Sequence, residues 1–167
     1  NDARSQNVIG EIRGSDRAGE VIVLGAHIVS WDLGTGAIDD AAGMAIITAA
    51  AKLIAGAPRP PRRTVRVVFF GAEEVSQPAL PTPRGGHTYR ANREAQLGSH
   101  VLAGESDFGA DRIYAVSLPK GTAESPFGKS LLGALSPLGI VPSAVPPGDG
   151  GADITPLSQR GVPVFVL

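Results

Sequence analysis

Residues 21–28 read VIVLGAHI, and residues 39–55 read DDAAGMAIITAAAKLIA. The first is a β-branched run of strand length. The second is rich in Ala, Ile and Leu and opens on two acids, the pattern of a helix with an Asp N-cap. Pro58, Pro60 and Pro61 then end the helix, and residues 64–70, TVRVVFF, follow. That run becomes continuously apolar, as a strand buried on both faces does. Strand, helix and buried strand in succession make a βαβ unit, whose crossover demands a parallel pair.

The flanking sequence extends this alternation. Residues 7–13 (NVIGEIR) form a strand candidate, joined to 21–28 by the turn-rich GSDRAGE. After a Pro-rich interruption, SQPALPTPRGG, residues 87–97 suit a helix. Residues 99–103 and 112–118 are further strand candidates, 125–138 a helix with Pro137 near its end, and 162–167 (VPVFVL) a last strand. There is no internal repeat and no low-complexity tract. The expected fold is one three-layer α/β domain with a largely parallel sheet. The chain stops inside its final apolar run, so an incomplete domain is expected.

Composition narrows the partners. The chain has 167 residues, long enough for one full hydrophobic core, and a net charge of −1, which suggests no polyanion. No nucleic-acid partner is therefore expected. The basic cluster PRPPRR (residues 58–63) lies between a helix and a strand and reads as a solvated loop. With no cysteine there is neither a disulfide nor a thiolate metal site. No apolar stretch approaches the ~20 residues of a membrane span, and no signal peptide is expected in the polar residues 1–7. Oligomeric state is open.

Hard-ligand residues collect where the strands end. His27 closes the first run, Asp39 and Asp40 precede the helix, Glu73 and Glu74 follow TVRVVFF, and Asp107 lies beyond 99–103. Open α/β sheets gather their sites at the carboxyl ends of strands. A neutral imidazole with several carboxylates is a ligand set for zinc or a similar divalent ion. Two such ions need a bridging carboxylate, and a further carboxylate must move the proton of the attacking water. Glu73 and Glu74, being adjacent, point differently, so one can ligate while the other acts as base. Each residue alone has a structural reading: a packed histidine, an N-cap, first-turn acids, a turn aspartate. Four such positions in order favour the metal site. A nucleotide-binding reading of Gly34-Thr35-Gly36 fails because Asp39 stands where the third glycine of the fingerprint belongs.

The stretches GAHIVSWDLGTGAIDDAAG (25–43), VRVVFFGAEE (65–74), VLAGESD (101–107) and GGADITPLSQRGVPV (150–164) together resemble the co-catalytic di-zinc exopeptidases, the group of aminopeptidases and plasma-glutamate-carboxypeptidase-like enzymes. The resemblance implies a zinc-exopeptidase, phosphorylase/hydrolase-like α/β/α fold, with residues 1–167 as a partial peptidase catalytic domain. It implies metal-dependent hydrolysis at one end of short peptides. His27 would bind one zinc, Asp39 would bridge two, and Glu74 and Asp107 would complete one ligand each. Glu73 would be the general base, and Asp40 would support Asp39 across the cis peptide that the family carries there. Secretion or a periplasmic location is also implied.

Three departures from the family pattern stand out. Val29 replaces the aspartate that orients the histidine through its other ring nitrogen, so Val29→Asp is expected to tighten metal binding. The family's last zinc ligand, a histidine beyond the GGAD motif, is not reached. Residues 77–84 are an extra Pro-rich loop that either rims the site or is a tolerated insertion. One bound zinc or none, and impaired activity, are therefore expected of this chain. The alternative is a non-catalytic member of the fold acting as a binding or structural domain. His87 and His100 are expected to be surface or core polar residues, Trp31 and Asp32 to support the loop carrying Asp39, and Asp149 and Asp153 to serve a Gly-rich bend.

Overall fold

In the computed structural model, residues 4–75, 85–107, 109 and 111–167 are described. The chain runs β1 (Val8–Ile12), β2 (Arg17–His27), α1 (Ala41–Ala55), β3 (Arg63–Phe70), α2 (Gly85–Arg93), β4 (His100–Glu105), β5 (Ala115–Val116), α3 (Pro126–Leu135), β6 (Val141–Pro142) and α4 (Thr155–Ser158). Four strands form the main sheet in the order β1-β3-β2-β4. β2 is parallel to both β3 and β4, and β1 adds antiparallel at the edge. This is the mixed α/β architecture with a mostly parallel central sheet that the alternation predicts. The parallel register, with Val21 opposite Thr64 and His27 opposite Phe70, aligns the carboxyl ends of β2 and β3.

The core forms where the central strands meet the helices. Val23, Val68, Phe70 and Ala103 from the sheet are buried together with Tyr89 of α2, Leu157 of α4 and Ile154 just before it. Helix α1 packs on β2 and β3 and buries Gly43 and Ile47, whereas α2 packs against α4. The Asp that caps α1 is Asp40, whose Oδ1 accepts the Gly43 N–H at 3.0 Å. Helix α3 begins as its sequence dictates, with Ser125 capping Gly128 and Pro126 in the first turn.

Four local expectations change. Strand β2 starts at Arg17, inside the stretch read as a turn, and absorbs the irregularity as a register shift between Arg17 and Val21. The helix expected over 87–97 starts at Gly85 and tightens into a 3-10 turn over Glu94–Ser99. The strand expected over 112–118 is reduced to the two residues of β5. The run 162–167 makes only isolated bridges, Val164 with Ala103 and Val166 with Ser117; Pro163 has no N–H to give a continuous ladder. Residues 77–84 lie outside the described residues. Among the described residues, no helix is long and apolar enough to cross a membrane.

Candidate metal centre at the strand ends

His27 is the last residue of β2 and is almost fully buried, at 1% exposure. Its backbone is fixed from two sides: its N–H donates to Asp40 Oδ2 at 3.0 Å, and the next N–H, of Ile28, donates to the Phe70 carbonyl at 2.9 Å. Its ring is fixed as well. Nδ1 lies 2.7 Å from the Val29 carbonyl oxygen, which can only accept, so the proton sits on Nδ1 and Nε2 faces the carboxylates. This corrects the expectation drawn from Val29. The missing aspartate side chain leaves the imidazole oriented, because the main chain of the substituted residue takes its place. A sequence displays side chains only, so this partner was not visible in it.

Around Nε2 stand carboxylates from three separate segments. Asp39 Oδ1 lies at 2.9 Å and Asp107 Oδ1 at 3.1 Å. Glu73 and Glu74 follow β3 and each brings a carboxylate oxygen within 4.8 Å of the histidine and of the other. Glu74 also hydrogen-bonds Asp39. Every site residue expected from the sequence therefore converges on one place. Asp40 has a different position from its neighbours: both its oxygens accept backbone N–H groups, from His27 and Gly43, so it ties the end of β2 to the start of α1. The Asp39–Asp40 peptide is cis. Gly43 belongs to the same arrangement, since a Cβ there would collide with the Ser106 carbonyl beside Asp107. Ser106 itself continues the β4 pairing by donating its N–H to the Gly25 carbonyl at 2.9 Å.

The electrostatics favour a cation at Nε2. Burial opposes a charge on His27, but the hydrogen bonds to Asp107 and to the Val29 carbonyl, with the charges of Asp107 and Asp40, outweigh it and raise its pKa to about 10. Burial, then the hydrogen bond to Asp39 and the charges of Asp39 and Glu73, push Glu74 above the usual carboxylate range. Burial takes Asp40 to about 6 despite the two N–H donors. Carboxylates held this close repel one another, and a positive charge among them relieves the repulsion. A divalent ion and a ring proton compete for the same nitrogen.

Other expected residues fall elsewhere. His87 is exposed on α2, and His100 is buried at the start of β4, hydrogen-bonded to Tyr89. Trp31 supports its loop through its carbonyl, which accepts the Gly34 N–H, while the residue is 63% exposed; Asp32 is exposed too. Asp149 accepts from Ser158 Oγ on the surface. Asp153 is a fully buried residue whose Oδ1 accepts the Gly86 N–H at 2.7 Å, and its own N–H donates to Glu105 Oε2 at 3.1 Å. It thus joins α2 to the end of β4. Glu105, two residues before Asp107, was missed as a functional neighbour; burial first, then the charges of Asp153 and Asp107, raise its pKa to about 8. Its position at the carboxyl end of β4 was the available signal.

Residues 7–167 match the family described as peptidase family M28. Carboxypeptidase Q of Bos taurus is 32% identical over 162 residues, which are 97% of this chain and 33% of that protein; the Homo sapiens protein is 30% identical over the same shares. The chain spans about a third of the length of the curated relatives it matches. Among solved structures, a peptidase M28 precursor from Shewanella amazonensis is 45% identical, with a TM-score of 0.84 over 96% of this chain and 35% of that one. An aminopeptidase from an Aneurinibacillus strain shares the fold at 20% identity, with a TM-score of 0.67 over 96% of this chain and 38% of that one. On a match that covers nearly all of its residues, the chain belongs to peptidase family M28.

Proposed function

We propose that these residues form the catalytic part of a secreted or periplasmic zinc exopeptidase that hydrolyses the terminal peptide bond of short peptides. The observation that carries this reading is the convergence of His27 Nε2, at the end of β2, with carboxylates from the segments after β3 and β4 and from the loop before α1. The donor set fits zinc: one imidazole nitrogen of fixed tautomer and several hard oxygens. In this reading His27, Asp39, Glu74 and Asp107 hold the metal, with Asp39 as the bridging carboxylate. A complete site would take two zinc ions, and with a single imidazole among its ligands this chain would hold one. A bound divalent ion supplies Lewis acidity toward a carbonyl oxygen and acidifies water.

The chain's own groups do the rest. Glu73 takes a proton from the attacking water and passes it to the leaving amine. Asp40 keeps Asp39 and His27 in register through its two backbone bonds. In this reading the sheet and helices would make the three layers of a single α/β/α catalytic domain. Similarity to carboxypeptidase Q and to an aminopeptidase supports cleavage at a peptide end without choosing which end. The non-catalytic alternative is not favoured, because the ligand types and the adjacent Glu73 are all retained in one place.

The test is zinc stoichiometry by elemental analysis together with peptide hydrolysis. Glu73→Gln is expected to keep the metal and to lower turnover by about 10²–10⁴-fold. A chain that takes up no zinc rejects the metal reading, and a Glu73→Gln enzyme with undiminished turnover rejects the base.

A further inference from the structure

Glu73 and Glu74 lie just after Gly71, where the chain leaves the sheet, on the segment that leads to Gly85, the first residue of α2. Its two roots are joined by a closed set of hydrogen bonds. The Gly71 N–H donates to Asn7 Oδ1 at 3.1 Å, Asn7 Nδ2 donates to the Gly85 carbonyl at 2.8 Å, and the Gly85 N–H donates to the Gly71 carbonyl at 2.8 Å. Only one orientation of the Asn7 amide satisfies both of its contacts.

The place of Asn7 follows from topology. It precedes Val8, which pairs antiparallel with Phe69, so residue 7 arrives beside the end of β3. The approach is close. A Cβ on Gly85 would meet Asn7 Oδ1 and lie 2.7 Å from the Gly71 nitrogen, and a Cβ on Gly71 would lie 2.8 Å from the Gln6 carbonyl oxygen. Ala72, between Gly71 and Glu73, has φ +62, a left-handed conformation that a non-glycine residue keeps only where its surroundings hold it. Gly86 is held from the other side by Asp153 Oδ1.

We infer that Asn7 is a positioning residue for Glu73 and Glu74: its amide locks the two roots of their segment and so sets where both carboxylates stand relative to His27. The inference rests on the reading of Glu73 and Glu74 as part of the metal centre. Asn is the residue for this task because it offers one acceptor and one donor on a short stem. Asp keeps the bond from Gly71 and sets an oxygen against the Gly85 carbonyl; Ala keeps neither.

Asn7→Ala and Asn7→Asp should be compared with Val21→Ala, a core truncation remote from the clamp, by native-state amide exchange and by calorimetric titration with Zn(II) alone. In Asn7→Ala, exchange at Gly71, Glu73, Glu74 and Gly85 is expected to rise tenfold or more beyond any change in the β2 and β4 amides, and Zn(II) affinity to fall about tenfold. Asn7→Asp should lie between, and it carries the test if Asn7→Ala does not fold. Val21→Ala should raise exchange across the sheet and spare this local pattern. Exchange at the four amides that merely follows global stability overturns the inference, as does an unchanged Zn(II) affinity in a chain that binds the ion. If the unmodified chain takes up no Zn(II), the metal reading fails, and the exchange comparison still decides whether Asn7 holds the turn.

Discussion

The two buried histidines stand on neighbouring parallel strands and have opposite environments. His27 ends β2, and His100 begins β4 opposite Val21, six residues back along β2, or roughly 20 Å away. Their exposures are 1% and 4%. Around His27 are carboxylates and a carbonyl, and its pKa rises to about 10. Around His100 burial comes first in lowering the pKa, and the charges of Arg66 and Arg93 lower it further, against a partial lift from the Gln96 carbonyl. Equal burial thus yields a ring that holds positive charge and a ring that excludes it. What differs is the sign of the groups at each end of the sheet.

His100 is the closing member of a directed chain. Arg66 donates to the Tyr89 hydroxyl at 2.6 Å, Tyr89 donates to His100 Nε2 at 2.8 Å, and His100 Nδ1 donates to the Gln96 carbonyl at 3.0 Å. Glu11 balances Arg66 at 2.6 Å. Each group is satisfied with a neutral imidazole and none needs a metal. The strongest way to break the comparison is to remove each ring. His27→Ala is expected to lower Zn(II) affinity by 10²-fold or more, and to abolish the rise in thermal midpoint that Zn(II) gives the unmodified chain. His100→Ala should leave Zn(II) affinity unchanged and cost about 2–3 kcal/mol of stability, since it empties a buried volume and strands the Tyr89 hydroxyl. Calorimetric titration and denaturant unfolding separate the two, and loss of metal in His100→Ala would end the division of roles.

The comparison also marks how far the sequence could be read. The candidate site residues His27, Asp39, Glu73, Glu74 and Asp107 were legible because residue type and position near strand ends are both written in one dimension, and the structure brings all of them together. The βαβ core was legible for the same reason, from the apolar run of β3 and the composition of α1. What was illegible depends on contacts between distant segments. Asn7 and Gly71 are 64 residues apart, and Gly86 and Asp153 are 67 apart. Nothing local announces such a pair. The short strands β5 and β6 were lost or overextended because two-residue strands carry no periodicity.

A pH series in the presence of chelator sharpens the same contrast with a smaller effect. His100 titrates below its ordinary 6.5 in the folded chain, so below that pH the unfolded chain binds a proton that the folded chain refuses. Its contribution is complete above pH 6.5 and is lost as the pH falls from there toward the folded value. His27, raised to about 10, behaves in reverse: its contribution is complete below pH 6.5 and is lost as the pH rises toward 10. The thermal midpoint of the metal-free chain should therefore fall on both sides, and His100→Gln should flatten the acid side alone. An acid limb unchanged by His100→Gln would assign it to other groups.

The smallest expected effect concerns Val29, where sequence and structure part most sharply. Read from side chains, Val29→Asp restores an absent partner of His27 and should tighten zinc binding by ~10–100-fold. In the structure the Nδ1 proton is already given to the Val29 carbonyl at 2.7 Å, and an imidazole has no second proton at that nitrogen to offer a new carboxylate. Val29→Asp is therefore expected to shift Zn(II) affinity by less than about threefold, under 1 kcal/mol. A tenfold gain would mean that the ring turns from the carbonyl to the new side chain, so that the main-chain contact is a weak substitute for the aspartate. A result within threefold places the orientation of His27 in the backbone, where any residue at position 29 that keeps the same main-chain conformation supplies it.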